Sequence, residues 1–180
     1  MEMMPVDDED YCEFEKLISG GISGAITDPF SDEALSHARK YYEFIRRNHS
    51  DVARIVKNTG YPSETIQAIK NYLFIDKHQL FGGFRVFDPC FEIAESWKRL
   101  SFDFKYVKPH DFTLIKHEIE EMHLLQNGYS QKDAHNLAEK KYNYQQESRE
   151  FYEHLKIRHN SIDFGEFVGI DESKNQGQRR

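Results

Sequence analysis

Residues 109–126 read PHDFTLIKHEIEEMHLLQ and are followed by Asn127-Gly128. Proline inside a first turn and glycine just past a last one are the ends a helix favours. On a wheel of 100° per residue, Phe112, Ile119, Met122 and Gln126 gather around Ile115, and Leu114 and Leu125 widen that sector. Three ionisable residues fall within or beside it: Glu118, Glu121 and His117. The polar sector lies elsewhere, at Lys116, Glu120, His123 and Asn127. A carboxylate among apolar neighbours has to be paired, neutralised or metal-bound, because an isolated buried charge is too costly.

His117 and Glu121 stand four apart, so their side chains meet on one face, and with Glu118 they spell HExxE. The related HExxH pattern places two metal ligands one turn apart with a glutamate beside them as general base. Here Glu121 would be the second ligand, an acceptable oxygen donor for zinc. A third ligand has to come from another element. His135 is best placed, with Glu139 one turn on, because the short Asn127-Gly128-Tyr129 connection folds the next helix back. The expected metal ligands are thus His117, Glu121 and His135, with Glu118 activating water. Tyr142, on the flank shared with His135, could donate a proton or stabilise an oxyanion. The bland alternative is a buried polar network without chemistry.

Outward from this helix the spacing is again mostly helical. Ser31 caps a helix that carries Leu35, Ala38, Tyr41, Tyr42 and Ile45 to about Arg47. Ser50 caps a second, ended by Gly60, and Pro62-Ser63 opens a third with Ile66, Ile69 and Leu73 as its stripe. Phe81-Gly82-Gly83-Phe84-Arg85-Val86-Phe87 changes character, to a hairpin or extended loop around the two glycines. Asp88-Pro89 begins a helix through Ile93, Ala94, Trp97 and Leu100, and Ser130 caps a last long helix reaching about His159. The fold class is mainly α, a compact helical domain over 31–160 with one small β element. An acidic and Gly-rich segment, 1–30, precedes it, with a short helix near Tyr11–Ile18 broken by Gly20, Gly21 and Gly24. A polar tail, 161–180, follows and reads as disordered from Asp171.

The 180 residues carry 31 acids and 24 bases, a net charge of −7. Residues 1–15 hold seven of those acids and no Lys or Arg, so the remaining body is neutral. That neutrality argues against electrostatic capture of nucleic acid. Two cysteines, Cys12 and Cys90, make no disulfide framework or zinc finger and fit a reducing cytosol. A mean hydropathy of −0.77 and the lack of a long apolar run give no membrane span and no secretory signal. The expected place of synthesis is the cytoplasm. Gly21-Ile22-Ser23-Gly24 misses both the nucleophile elbow and the phosphate loop. Residues 52–66 could be a helix-turn-helix, but Glu64, Gln67, Lys70 and Asn71 offer little to a phosphate backbone.

The order of segments carries a further signal. Asp76-Lys77-His78 precedes Phe87-Asp88-Pro89 and Ala94-Glu95-Ser96-Trp97-Lys98-Arg99-Leu100; His117-Glu118-Ile119-Glu120-Glu121, Ala134-His135 and Lys141-Tyr142-Asn143-Tyr144 follow. From Ser31 to about Leu155 this resembles the C-terminal extension domains of phage minor-head (Mu F-type head-morphogenesis) proteins and of bacterial polymorphic toxins. The resemblance implies a toxin or effector-type hydrolase, delivered to another cell, with a parent-protein or immunity partner. It marks His117, Glu118, Glu121 and His135, then Tyr142 and His78. Glu121 stands where a standard zincin motif has its second histidine. The expected function is a zinc-dependent hydrolase resembling a metallopeptidase. The alternatives are a non-catalytic phage or bacterial adaptor domain and a metal-dependent or histidine-based nuclease.

Overall fold

A computed structural model of the chain describes residues 26–167. The expected Tyr11–Ile18 helix, the glycine break after it and the polar tail lie outside the described residues. Ser31 does what its residue type predicts: its Oγ accepts from the Ala34 amide at 3.1 Å and starts α1 (Asp32–Arg47). Acids in the first turn and Arg46 and Arg47 in the last complement the helix dipole. Ser50 precedes α2 (Asp51–Thr59), but its hydroxyl turns back to Asn48 Oδ1 instead of capping. Gly60, at φ 76°, ends α2 in the left-handed conformation that glycine adopts without steric cost.

After α3 (Ser63–Lys70) the third helix does not keep its period. Residues Asn71–Ile75 wind as a π-turn, which buries Tyr72, Leu73 and Phe74 in succession. An α-helical stripe would have buried every third or fourth residue; the wider turn lets Tyr72 and Phe74 serve two different walls. The hairpin begins earlier than the Gly-Gly signal suggests. Strands β1 (His78–Leu80) and β2 (Gly83–Arg85) pair antiparallel, His78 opposite Arg85 and Leu80 opposite Gly83. Gly82 and Gly83 supply the positive φ, 94° and 120°, that the tight connection needs.

Helix α4 (Phe91–Phe102) starts two residues later than Asp88-Pro89 and packs against α1, α2 and α5. Its apolar residues Phe91, Ala94, Trp97 and Leu100 are buried, and so are Glu95, Ser96, Lys98 and Arg99. A central helix buried on all sides must satisfy such charges internally. Arg99 does so by donating to both oxygens of Asp111, to Ser96 Oγ and to His110 Nε2. Likewise Asp51 accepts from Lys70 Nζ at 2.7 Å and from Trp97 Nε1 at 2.9 Å. The aromatic core of Tyr41, Tyr42, Phe74 and Trp97 fills the space between, each ring contributing about 1.5–3 kcal/mol by burial.

Helix α5 (Pro109–Gln126) follows a short 3-10 turn, and Asp111 also accepts from the Lys108 amide at its start. Ser130 caps α6 (Gln131–Lys141) as expected. The predicted single helix to His159 is in fact two, because α7 (Tyr144–Phe167) begins after a break at Tyr142 and Asn143. Asn143 Oδ1 accepts from the Gln146 amide, and Glu139 Oε1 accepts from the Gln145 amide. These polar contacts satisfy the first turn of α7, which is the alternative that Asn offers a chain. The helix-turn-helix candidate became α2 and α3. Its Lys70 is buried against Asp51, out of reach of a phosphate. Among the described residues no helix is long and apolar enough to cross a membrane.

Candidate functional site

The HExxE face of α5 is buried as its wheel position requires: His117, Glu118 and Glu121 are all sheltered from solvent. Helix α6 packs back on α5 across the Asn127-Gly128-Tyr129 turn and brings His135, Gln131 and Glu139 to the same place. The π-turn contributes Tyr72 from the other side.

Glu121 lies at the centre. Its Oε2 accepts from His117 Nε2 at 3.1 Å and from His135 Nδ1 at 3.0 Å. Its Oε1 accepts from Tyr72 Oη at 2.6 Å and from Gln131 Nε2 at 2.7 Å. Burial alone would raise its carboxyl, but hydrogen bonds from His117, His135 and Tyr72 prevail and hold it at about 2.

His117 faces acceptors with both nitrogens. Opposite Glu121, Nδ1 lies 3.1 Å from the Tyr142 carbonyl and 3.2 Å from Glu139 Oε2. Burial opposes a charge on this ring, yet Glu121, Glu118 and the Tyr142 carbonyl outweigh it and raise the imidazole to about 9. His117, His135 and Glu139 present donor atoms that all lie within 4.8 Å of one another, a group that could hold a metal ion. His135 is the open member, its side chain 55% exposed.

Glu118 has a different environment. It is buried beside the cluster and its Oε2 has no hydrogen-bond partner. Burial pushes its carboxyl up to about 8; the His117 charge works against this, while Glu121 and Glu139 add to it. Glu118, Glu121 and His135 line a cavity of about 320 Å³ whose other walls are mainly apolar, among them Tyr72, Leu73, Leu80 and Phe87.

The structure therefore brings together His117, Glu118, Glu121 and His135. Tyr142 reaches His117 through its backbone carbonyl, while Lys141 Nζ lies over its ring at 5.4 Å. His78 stands behind Tyr72: its Nε2 is 2.8 Å from the Tyr72 carbonyl and its ring stacks on Phe87. Tyr72 and Gln131 are not among the site residues the sequence predicts. Tyr72 is 49 residues from Glu121, and nothing in the spacing announces a π-turn. Gln131, a first-turn residue of α6, looks like ordinary helix surface.

No protein-family model matches this chain, and no curated protein or solved structure does either.

Proposed function

We propose that this chain is a metal-dependent hydrolase, with zinc as the metal, in which α5 and α6 supply the ligands and α5 the acid–base chemistry. The observation that carries the reading is the convergence of donor atoms from His117, His135 and Glu139 within 4.8 Å of one another, beside a cavity that Glu118 lines. Two imidazoles and a carboxylate suit zinc in donor type and number. His117, His135 and Glu139 would hold it, with Glu139 in the place that the HExxE spacing assigns to Glu121. Glu121 would then accept the Nε2 proton of His117 and the Nδ1 proton of His135, the outer hydrogen bonds that ligating histidines commonly make. When bound, the metal supplies Lewis acidity and lowers the pKa of water.

The chain's own residues do the rest. Tyr72 and Gln131 fix the far oxygen of Glu121, so its near oxygen keeps facing the two histidines. Glu118, with an oxygen not engaged elsewhere, would in its ionised form, on the alkaline side of its raised carboxyl, accept the proton of the attacking water and return it to the leaving group. The apolar cavity walls would lower the polarity around the reacting group. The effector setting, with delivery to another cell and a parent-protein or immunity partner, comes from the segment resemblance and forms part of this proposal.

The second reading is a non-catalytic adaptor domain. It is favoured by the complete saturation of Glu121, whose two oxygens already accept from four side chains. Metal analysis of the purified chain separates the two. Stoichiometric zinc, removed by chelators and restored by addition, is the expected result; a chain with no affinity for zinc leaves the network as structure alone.

A further inference from the structure

The cavity beside the cluster is larger than a metal and a water need. It encloses about 320 Å³, with walls from Tyr42, Leu73, Leu80, Phe87 and Ile93. A more open cavity of about 510 Å³ shares Leu80, Phe87, Glu121 and His135 with it and continues to Gln79, Phe81 and Lys132. The two adjoin along these shared residues and together line one cleft from Ile93 to Lys132.

The carboxylates of the inner cavity are not equally available. Glu121 already accepts four hydrogen bonds, and Asp88 is held by both terminal nitrogens of Arg85. Only Glu118, 4% exposed, keeps an oxygen with no partner. The inner cavity is therefore an apolar chamber with one buried acceptor, which suits an apolar group flanked by an N–H donor better than a cationic side chain. Along the outer part runs the hairpin. Among the described residues β1 and β2 pair only with each other, so each keeps one edge of main-chain donors and acceptors unpaired. Phe81 at the hairpin turn is fully exposed and lines the outer cavity, and Phe84 on β2 is exposed too, so the hairpin presents two apolar rings beside the cleft.

The geometry points to an extended polypeptide as the occupant of this cleft, with one leucine- or phenylalanine-sized side chain in the inner cavity, its peptide N–H toward Glu118, and its main chain along the hairpin edge. Strand addition supplies the main-chain bonds and the cavity supplies the side-chain choice. This rests on the hydrolase reading for cleavage, since it names the substrate of that same site, but the binding it describes is measurable without turnover.

The test uses the full chain, metal-free and zinc-loaded, titrated with the N-acetyl amides of phenylalanine, leucine, lysine and glycine and followed by amide NMR. The phenylalanine and leucine amides are expected to bind about tenfold or more tightly than the glycine amide and to shift Leu80, Phe87 and Ile93. Ile93→Trp, which fills the chamber, should abolish that preference. Should this variant fold poorly, Leu80→Ala on the hairpin should weaken phenylalanine amide several-fold. Phe81→Ser, at a fully exposed position, should weaken only a longer probe such as acetyl-Ala-Ala-Phe-Ala-Ala-amide. Glycine or lysine amide binding as well as phenylalanine amide overturns the proposal, and so does indifference to both Ile93→Trp and Leu80→Ala. A chain that binds the phenylalanine amide but takes up no zinc supports this pocket and defeats the hydrolase. A zinc-loaded chain that cleaves peptides without side-chain preference does the reverse.

Discussion

Helix α5 carries two buried charged clusters, about two turns apart, and they are built on opposite plans. At its start, His110 and Asp111 meet Arg99 of α4 in a knot where Asp111 takes three hydrogen bonds from one guanidinium and another from the Lys108 amide. Phe151 covers the same guanidinium at 5.3 Å. At its other end, His117, Glu118 and Glu121 meet α6 and the π-turn, with one carboxylate oxygen unengaged, an exposed histidine and a cavity alongside. Burial of charge is common to both and so cannot mark a site. Access and an unspent acceptor distinguish the second, and a buried ion pair without them is better explained as structural specificity than as chemistry.

Glu118 separates the two clusters most decisively. Glu118→Gln keeps the shape and the burial, so melting should be nearly unchanged while hydrolysis falls by about 10²–10⁴, the usual worth of a positioned acid–base group. Activity equal to the parent chain would remove Glu118 from the mechanism, and a chiefly unfolded variant would assign the residue to structure. Arg99→Met should do the opposite. Stranding Asp111 in the core costs about 3–5 kcal/mol in denaturant unfolding, with zinc affinity of the folded fraction unaltered.

His135→Ala tests the open cluster at its exposed member. Zinc affinity measured against a competing chelator should fall by about 100-fold or more, beyond the ~10–100-fold typical of a residue that only orients a ligand. Thermal stability of the metal-free chain should scarcely move.

The closed cluster has its own pH signature. Burial lowers His110 to about 4, with Arg99 and Lys108 adding to the effect and Asp111 opposing it. The folded state thus binds fewer protons than the unfolded state between pH 6.5 and 4, so stability falls as pH drops through that window. His110→Gln should flatten this part of the curve, by on the order of 2 kcal/mol at its acid end, in urea titrations of the metal-free chain. The smallest effect is expected from Tyr72→Phe. It removes one bond to Glu121 and should loosen zinc about tenfold, the low end for such a partner.

Legibility in the sequence followed how local each cause was. The caps at Ser31 and Ser130 and the stop at Gly60 were readable because each acts within three or four residues of itself. The same holds for the HExxE face, whose burial follows from the helical period of α5. His135 was readable one step further out, because a four-residue connection leaves an antiparallel helix little choice of partner. What was hidden depends on departures from the period. The π-turn at 71–75 turns Tyr72 toward Glu121, and the break at Tyr142-Asn143 turns a backbone carbonyl, not the tyrosine ring, onto His117. Neither has a residue-level signal comparable to a glycine or a cap.

The π-turn also joins the site to the chain's one tryptophan. Phe74, two residues from Tyr72, meets the Trp97 ring edge-on at 5.1 Å, and the indole nitrogen is tied to Asp51. The molecule therefore contains an optical reporter that reads two things separately. Complete unfolding moves Trp97 from core to water and red-shifts its emission, whereas a change at Glu121 has a route to the indole along the π-turn, through Tyr72 and Phe74, that leaves the indole in the core. Emission at constant wavelength on zinc addition is therefore the expected sign of a change at the cluster without unfolding, checked by titration of the metal-free chain.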